Sequence, residues 1–284
     1  MLKTETIKAY AKINLSLYVG GPRDDGYHPI YSVFQKIDLY DELVITKIPE
    51  KKLILSCNSK DVPLDQHNIL MTIFDTCFSK IEHGFSVSIN KVIPLGGGLG
   101  GGSTNAASFL WYLNSTQGWG MSLTELAQFS LSFGSDIPFF FNSPLCLVEG
   151  IGDKITPIAD QLTHFYVIIV PPIHCHTKEI YSEYDTYIQS TGKAPHSFPT
   201  SLVSVLGKND LKKIVFSLYS QFGEIEEFLT ELGCVTYMSG SGATLFSVFD
   251  SEEDATRVSD LATSRWPDYF IRVSRPVDFC FSDD

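Results

Sequence analysis

Residues 7 to 19 alternate in polarity. Ile7, Ala9, Ala11, Ile13, Leu15, Leu17 and Val19 share one side, and Lys8, Tyr10, Lys12, Asn14, Ser16 and Tyr18 the other. Period two over this length predicts a strand with one buried face. The turn-forming stretch GGPRDDGYHP follows, then a second strand-like run, IYSVFQKIDLYDELVITKI. KKLILSC and FSVSINKVI read as further strands, with a helix near NILMTIFDTCFSKIE between them. Ser122 with Glu125 three residues on is a capping box, and it opens a helix, LTELAQFSLSF, that Gly134 closes. A strand near PLCLVEG completes an N-terminal α+β half. HFYVIIVPP begins a second half with a buried strand, and QSTGKAPHSFPTS, residues 189–201, has the composition of a long loop. The helices of NDLKKIVFSLYSQFGEIEEFLTELG come next, then strand, turn and strand in VTYMSGSGATLFSVFD. A helix opened by Ser251 and a closing strand, YFIRVSRPV, end the pattern. The boundary between halves falls within residues 150–165.

Between the strand ending near Val92 and a helix beginning near Ser103 the pattern breaks into glycine: six glycines occupy the seven positions from Gly96 to Gly102. A flexible linker joins domains, whereas this tract is clamped between an apolar strand and an Ala-rich helix. Gly96, Gly98 and Gly101 satisfy the dinucleotide spacing G-x-G-x-x-G, but so dense a tract does so automatically. The acidic residue downstream, Glu125, already has a capping role. A phosphate loop fits the context best. Bare backbone lets N–H groups approach phosphate oxygens, and the start of a helix adds about half a positive charge at the same place. It is not a Walker A loop, because Gly102 stands where that motif has lysine, so any cation facing the phosphates comes from elsewhere in the chain.

Composition narrows the class. With 44% hydrophobic and 19% charged residues the 284-residue chain reads as globular, and no apolar run approaches the roughly 18 residues that span a bilayer. The N-terminal stretch has no signal-peptide core, and the six cysteines form no CxxC pair, so a cytoplasmic protein with reduced thiols is expected. A net charge of −12 speaks against nucleic acid as a partner. His174, Cys175 and His176 are residue types that ligate metals, but alternation along an extended segment parts the cysteine from both histidines, and no metal ligands are assigned.

PLGGGLGGGST resembles the phosphate loop of the GHMP kinases. AKINLSLYVGGPRDDGYH at 11–28, FGSDIPFFF at 133–141 and SGSGATLF at 239–246 narrow the resemblance to the branch acting on a cytidine-diphosphate-linked methylerythritol. The resemblance spans the chain. It implies an α+β, two-domain GHMP kinase fold: residues 1–158 a ribosomal-protein-S5-like ATP-binding domain, residues 159–284 a ferredoxin-like one. It also implies ATP as co-substrate, Mg²⁺ with it, a small-molecule acceptor, and no membrane. Another small-molecule GHMP kinase, mevalonate- or homoserine-like, is a competing reading, as is a non-catalytic nucleotide-binding protein on the same scaffold.

The candidate residues follow. Lys12 and Asn14 share a strand face, with Cα atoms roughly 6.5–7 Å apart; in the family the matching lysine is catalytic and the matching asparagine lies in the acceptor region. Asp136 matches the family's proton acceptor, which a neighbouring ammonium keeps ionised. Pro94, Leu95, Gly96, Gly97, Gly98, Leu99, Gly100, Gly101, Gly102, Ser103 and Thr104 form the ATP loop, with Asn68 and Lys91 on the adenine side. Tyr27 matches a tyrosine stacking on cytosine and His28 a histidine reading its polar edge. Thr177 and Tyr181 match the second cytidine-side stretch, although PPIHCHT departs from the usual wording there, as Ser135 departs from alanine.

Overall fold

The computed structural model describes residues 3–159, 162–192 and 207–282. Two antiparallel-rich sheets carry the chain. The first contains β1 (Thr4–Val19), β2 (Ile30–Ile48), β3 (Leu53–Cys57), β4 (Gly84–Asn90), β5 (Leu145–Gly150) and β6 (Lys154–Pro157). Its order is β3-β4-β2-β5-β6, with β1 also paired to β2. β3 and β4 run parallel, and α1 (Ile69–Thr76) lies in the connection between them. α2 (Gly101–Gln117) packs on this sheet, and α3 (Leu123–Ser130) packs on α2 and on the 3-10 segment that follows, Ile137–Phe141. Phe85, Phe109, Phe139, Phe140 and Leu110 are at the centre of the core they bury.

The second sheet, in the order β10-β7-β9-β8, contains β7 (Phe165–Val170), β8 (Tyr237–Met238), β9 (Leu245–Phe249) and β10 (Phe270–Ser274). Its helices are α4 (Thr177–Thr191), α5 (Lys212–Leu218), α6 (Gln221–Glu231) and α7 (Glu252–Arg265). Four antiparallel strands crossed by helices after the first and third are the pattern of a ferredoxin-like domain. FYVIIV is apolar at every position because β7 is an inner strand, paired on both edges.

Several elements match the hydrophobic pattern. Ser122 and Glu125 close the capping box in both directions, and Ser251 caps α7. Others depart from it. α2 begins at Gly101, not Ser103, because the left-handed Gly100 caps it. α3 ends at Ser130 with a right-handed Leu131 as its cap, so Gly134 belongs to a turn beyond the helix. Residues 189–191 lie in α4, a helix unmarked by any capping side chain; most of the expected 189–201 loop lies outside the described residues.

The largest correction concerns β1. From Ala11 onward both of its faces are buried, including Lys12, Asn14 and Ser16. Residues 207–210 of the second half cover its free edge, with Gly207 N donating to Leu15 O and Leu17 N to Lys208 O. The polar stripe therefore lies between the halves, not in solvent.

Candidate active site

Burying a lysine is costly unless its charge is met. The ammonium of Lys12, whose side chain is 4% exposed, donates to Asn14 Oδ1 at 2.6 Å and stands 3.4 Å from Asp136 Oδ2. It also lies 4.5 Å from the centroid of the Phe34 ring. Bulges between Tyr10 and Lys12 and between Asn14 and Ser16 interrupt the β1–β2 register on either side of this pair, and bulges re-aim side chains. Asp136 is at the N-terminal end of the 3-10 segment. That segment is anchored by Lys36, whose buried ammonium donates to the carbonyls of Phe140, Asn142 and Phe279. Burial pulls the Lys36 pKa down to about 8.

Lys12, Asn14 and Asp136 line a cavity of about 720 Å³. Tyr27, His28, Gly98, Ser135, Thr177 and Tyr181 line it as well, so residues read from five separate stretches converge on one wall. Tyr27 is 58% exposed, an aromatic ring with little of its surface covered. Tyr181 is held up in pKa by burial first and the Asp136 carboxylate second. Thr177 shares a 2.9 Å hydrogen bond with Ser241.

The glycine loop reaches the same place from the other side. Lys12 N donates to Leu99 O. Three carbonyls of the loop point into the second half: Gly96 O accepts from Ala243 N, Gly97 O from Thr244 N and from Thr244 Oγ1 at 2.5 Å. Gly98 O is 3.2 Å from Ser239 Oγ, which is also 3.3 Å from Asn14 Oδ1. With its carbonyls taken up in this way, the loop has its amides available to an anion. Pro94 and Leu95 instead border a separate groove with Gly96 and His174. Thr104 is buried and Ser103 half-buried in the first turn of α2. Asn105, one residue on, is buried with no hydrogen-bond partner for its Oδ1 among the described residues.

Asn68 and Lys91 are not on the cavity wall. Asn68 caps α1, accepting from Leu70 N and donating to Pro63 O. Lys91 Nζ is buried 2.7 Å from Asp41 Oδ2 and 2.6 Å from Ile93 O. Asp41, fully buried, also accepts from the backbone amides of Val92 and Ile93, so it fixes the strand exit into the loop. The pattern held a signal for it: Asp41 shares the parity of Ile37, Leu39, Leu43 and Ile45, a carboxylate on an apolar face. The rings of His174 and His176 touch with centroids 4.3 Å apart, while Cys175 is buried.

Known proteins resemble this chain in both of its halves. The GHMP kinases N terminal domain matches residues 68–143 and the GHMP kinases C terminal matches residues 201–268. The chain is 34% identical to a 4-diphosphocytidyl-2-C-methyl-D-erythritol kinase of Clostridium botulinum over 93% of its own length and 98% of the relative's. It is 34% identical to the enzyme of that name from Geobacter metallireducens over 97% and 100%. Among solved structures, a 4-(cytidine 5'-diphospho)-2C-methyl-D-erythritol kinase superposes with a TM-score of 0.74 at 24% identity, covering 96% of this chain and all of that one. A homoserine kinase from Cytophaga hutchinsonii superposes with 0.68 at 15%, covering 98% and 96%. The two structures show a common fold.

Proposed function

The chain belongs to the 4-diphosphocytidyl-2-C-methyl-D-erythritol kinases, within the GHMP kinases, and from that premise we propose how its cavity performs the reaction. The substrate is 4-diphosphocytidyl-2-C-methyl-D-erythritol, the phosphoryl donor ATP, and the products the 2-phosphate and ADP, a step in the non-mevalonate route to isopentenyl diphosphate. The observation that carries the assignment of roles is the Lys12–Asp136 pair, 3.4 Å apart on the wall that also holds Tyr27 and Tyr181.

Asp136 takes the proton of the acceptor hydroxyl as its oxygen attacks the γ-phosphorus, and the bond to the β-phosphate oxygen breaks to release ADP. Lys12 sets an ammonium beside Asp136 and supplies the cation that a Walker lysine supplies elsewhere. Asn14 fixes the ammonium. Residues Pro94 to Thr104 bind the triphosphate, with Asn68 and Lys91 framing the adenine side by holding α1 and the loop entrance. Tyr27, His28, Thr177 and Tyr181 receive the cytidine. Mg²⁺ neutralises phosphate charge when bound, and the hydroxyls of Ser103 and Thr104 are hard oxygen donors suited to it. Residues 1–158 and 159–284 serve as the two domains, and the protein acts in the cytoplasm. No helix among the described residues is long and apolar enough to cross a membrane.

ADP release measured in parallel with the cytidyl substrate, its sugar fragment, mevalonate and homoserine tests the substrate. Turnover of the cytidyl substrate alone is expected, and preference for mevalonate or homoserine overturns it. Asp136→Asn should lower kcat about 10²–10⁴-fold with near-normal KM values. Retention of more than about a tenth of kcat, with chemistry rate-limiting, would remove Asp136 as the base.

A further inference from the structure

Thr177, Tyr181 and Asp185 are spaced four apart on α4, so they form one stripe of the helix, and that stripe is part of the cavity wall. His28 faces it. Its side chain is 6% exposed, its ring lies 4.9 Å from that of Tyr181, and its Nε2 is 2.8 Å from Asp185 Oδ1. His28 itself lines the cavity, and no hydrogen bond to its Nδ1 is present among the described residues. A second carboxylate on the wall of a cavity that receives a diphosphate repels its ligand unless it is committed to a partner. Asp185 is committed to the imidazole.

A carboxylate accepts and does not donate. A neutral imidazole bound to it therefore carries its proton on Nε2, and Nδ1 is left as an acceptor. We infer that Asp185 makes this cavity select cytosine over uracil by fixing His28 in that tautomer; the inference rests on the cytidyl substrate proposed above. On its pairing edge cytosine offers one donor group, the 4-amino group, while N3 and O2 accept. An acceptor-only Nδ1 engages the amino group and no other atom of that edge. Uracil in the same pose sets O4 against Nδ1, acceptor against acceptor, and leaves both unbonded. A polar site rejects an analogue that lacks its hydrogen-bonding group far more strongly than an apolar pocket rejects a small change in size.

The test compares kcat/KM for the cytidyl substrate and its uridine-diphosphate-linked analogue in the wild type and in Asp185→Asn, whose amide can serve either tautomer. The cytidyl preference should fall about 10-fold or more, the size of one base-reading contact, while the KM for ATP stays where it was. Imidazole ¹⁵N spectra of the free protein at pH 8 should show the His28 proton on Nε2 in the wild type and divided between the nitrogens in the variant. An unchanged preference in the folded variant, or a wild-type ring protonated on Nδ1, overturns the inference and leaves the cytidyl reading standing. A wild type that phosphorylates the bare sugar fragment as readily as the cytidyl substrate overturns both.

Discussion

Neighbouring glycines of the loop meet different surroundings, and that difference decides which of them reports on a ligand. Gly100 adopts φ +71°, and a Cβ there would come within 2.9 Å of Phe140 Cζ and 3.1 Å of Lys12 Cγ. At Gly98 a Cβ would meet the backbone oxygens of Ser239 and Gly242 at 2.8 Å. Substitution at either disturbs the protein itself, so lost activity would not reveal phosphate contact. Gly102 is helical, and a Cβ on it meets no protein atom within 4 Å. Gly102→Ala should therefore leave the fold intact or slightly stabilise it, since alanine exceeds glycine by about 1 kcal/mol in a helix. Its KM for ATP should still rise several-fold if phosphate oxygens occupy that space. A melting temperature at or above wild type with an unchanged KM would show that the triphosphate lies elsewhere. At this scale the sequence picked out, where residue type and motif coincide, side chains and backbone that the fold brings together, as at Lys12, Asp136 and Gly98. It was silent on Asp185, which lies in a helix with no capping side chain and works through a histidine 157 positions away.

Elements place these residues, and their placement depends on buried ions that alternation cannot predict. β1 was readable from period two and β2 as a strand-like run, but not that both faces of β1 would be covered, because the covering chain is more than 190 residues away. Lys36 lies on β2 opposite Lys12 and bonds three carbonyls around the 3-10 segment that presents Asp136. Its pKa in the fold, about 8, is below the ordinary lysine value of 10.5. The folded protein thus releases this proton earlier than the unfolded chain. Between those two values the unfolded chain binds more protons, and stability from this group rises with pH. Below about pH 8 both states are charged and the contribution is absent. Relative to Lys36→Met, the wild type should gain stability as pH increases from 8 to 10.5, read as urea midpoints at both ends of the range. A difference that stays constant across the window would mean that the Lys36 pKa is not depressed. Because Lys36→Met also loses the carbonyl anchors of the Asp136 segment, kcat should fall in that variant even at pH 7.5.

At the scale of the whole molecule the two halves share one of the two apolar clusters. Ala11, Ile13, Leu15 and Leu17 of β1 belong to the same apolar cluster as Tyr166, Ile168, Phe222 and Phe246. Composition and turn signals allow two halves to be seen, yet say nothing about how far one supplies the other's interior. The contact between halves is also chemical, since the SGSGAT turn after β8 takes up the carbonyls of Gly96, Gly97 and Gly98. If this is what turns the loop amides toward the triphosphate, damage to the second half should be felt as weakened binding to the first. Thr244→Val keeps the shape of a fully buried side chain and removes its hydroxyl from Gly97 O, which retains only the 3.2 Å bond from Thr244 N. Losing one buried hydrogen bond costs about 1 kcal/mol, so a modest fall in melting temperature is expected. The KM for ATP should rise about 5-fold or more as the loop loses its register, while the KM for the cytidyl substrate, proposed to lie against α4 and the Tyr27 turn, should change little. Equal increases in both constants would mean that the turn supports the cavity as a whole. No change in either would mean that Gly97 is held by its backbone bond alone, and that the second half contributes core to the nucleotide site but not its geometry.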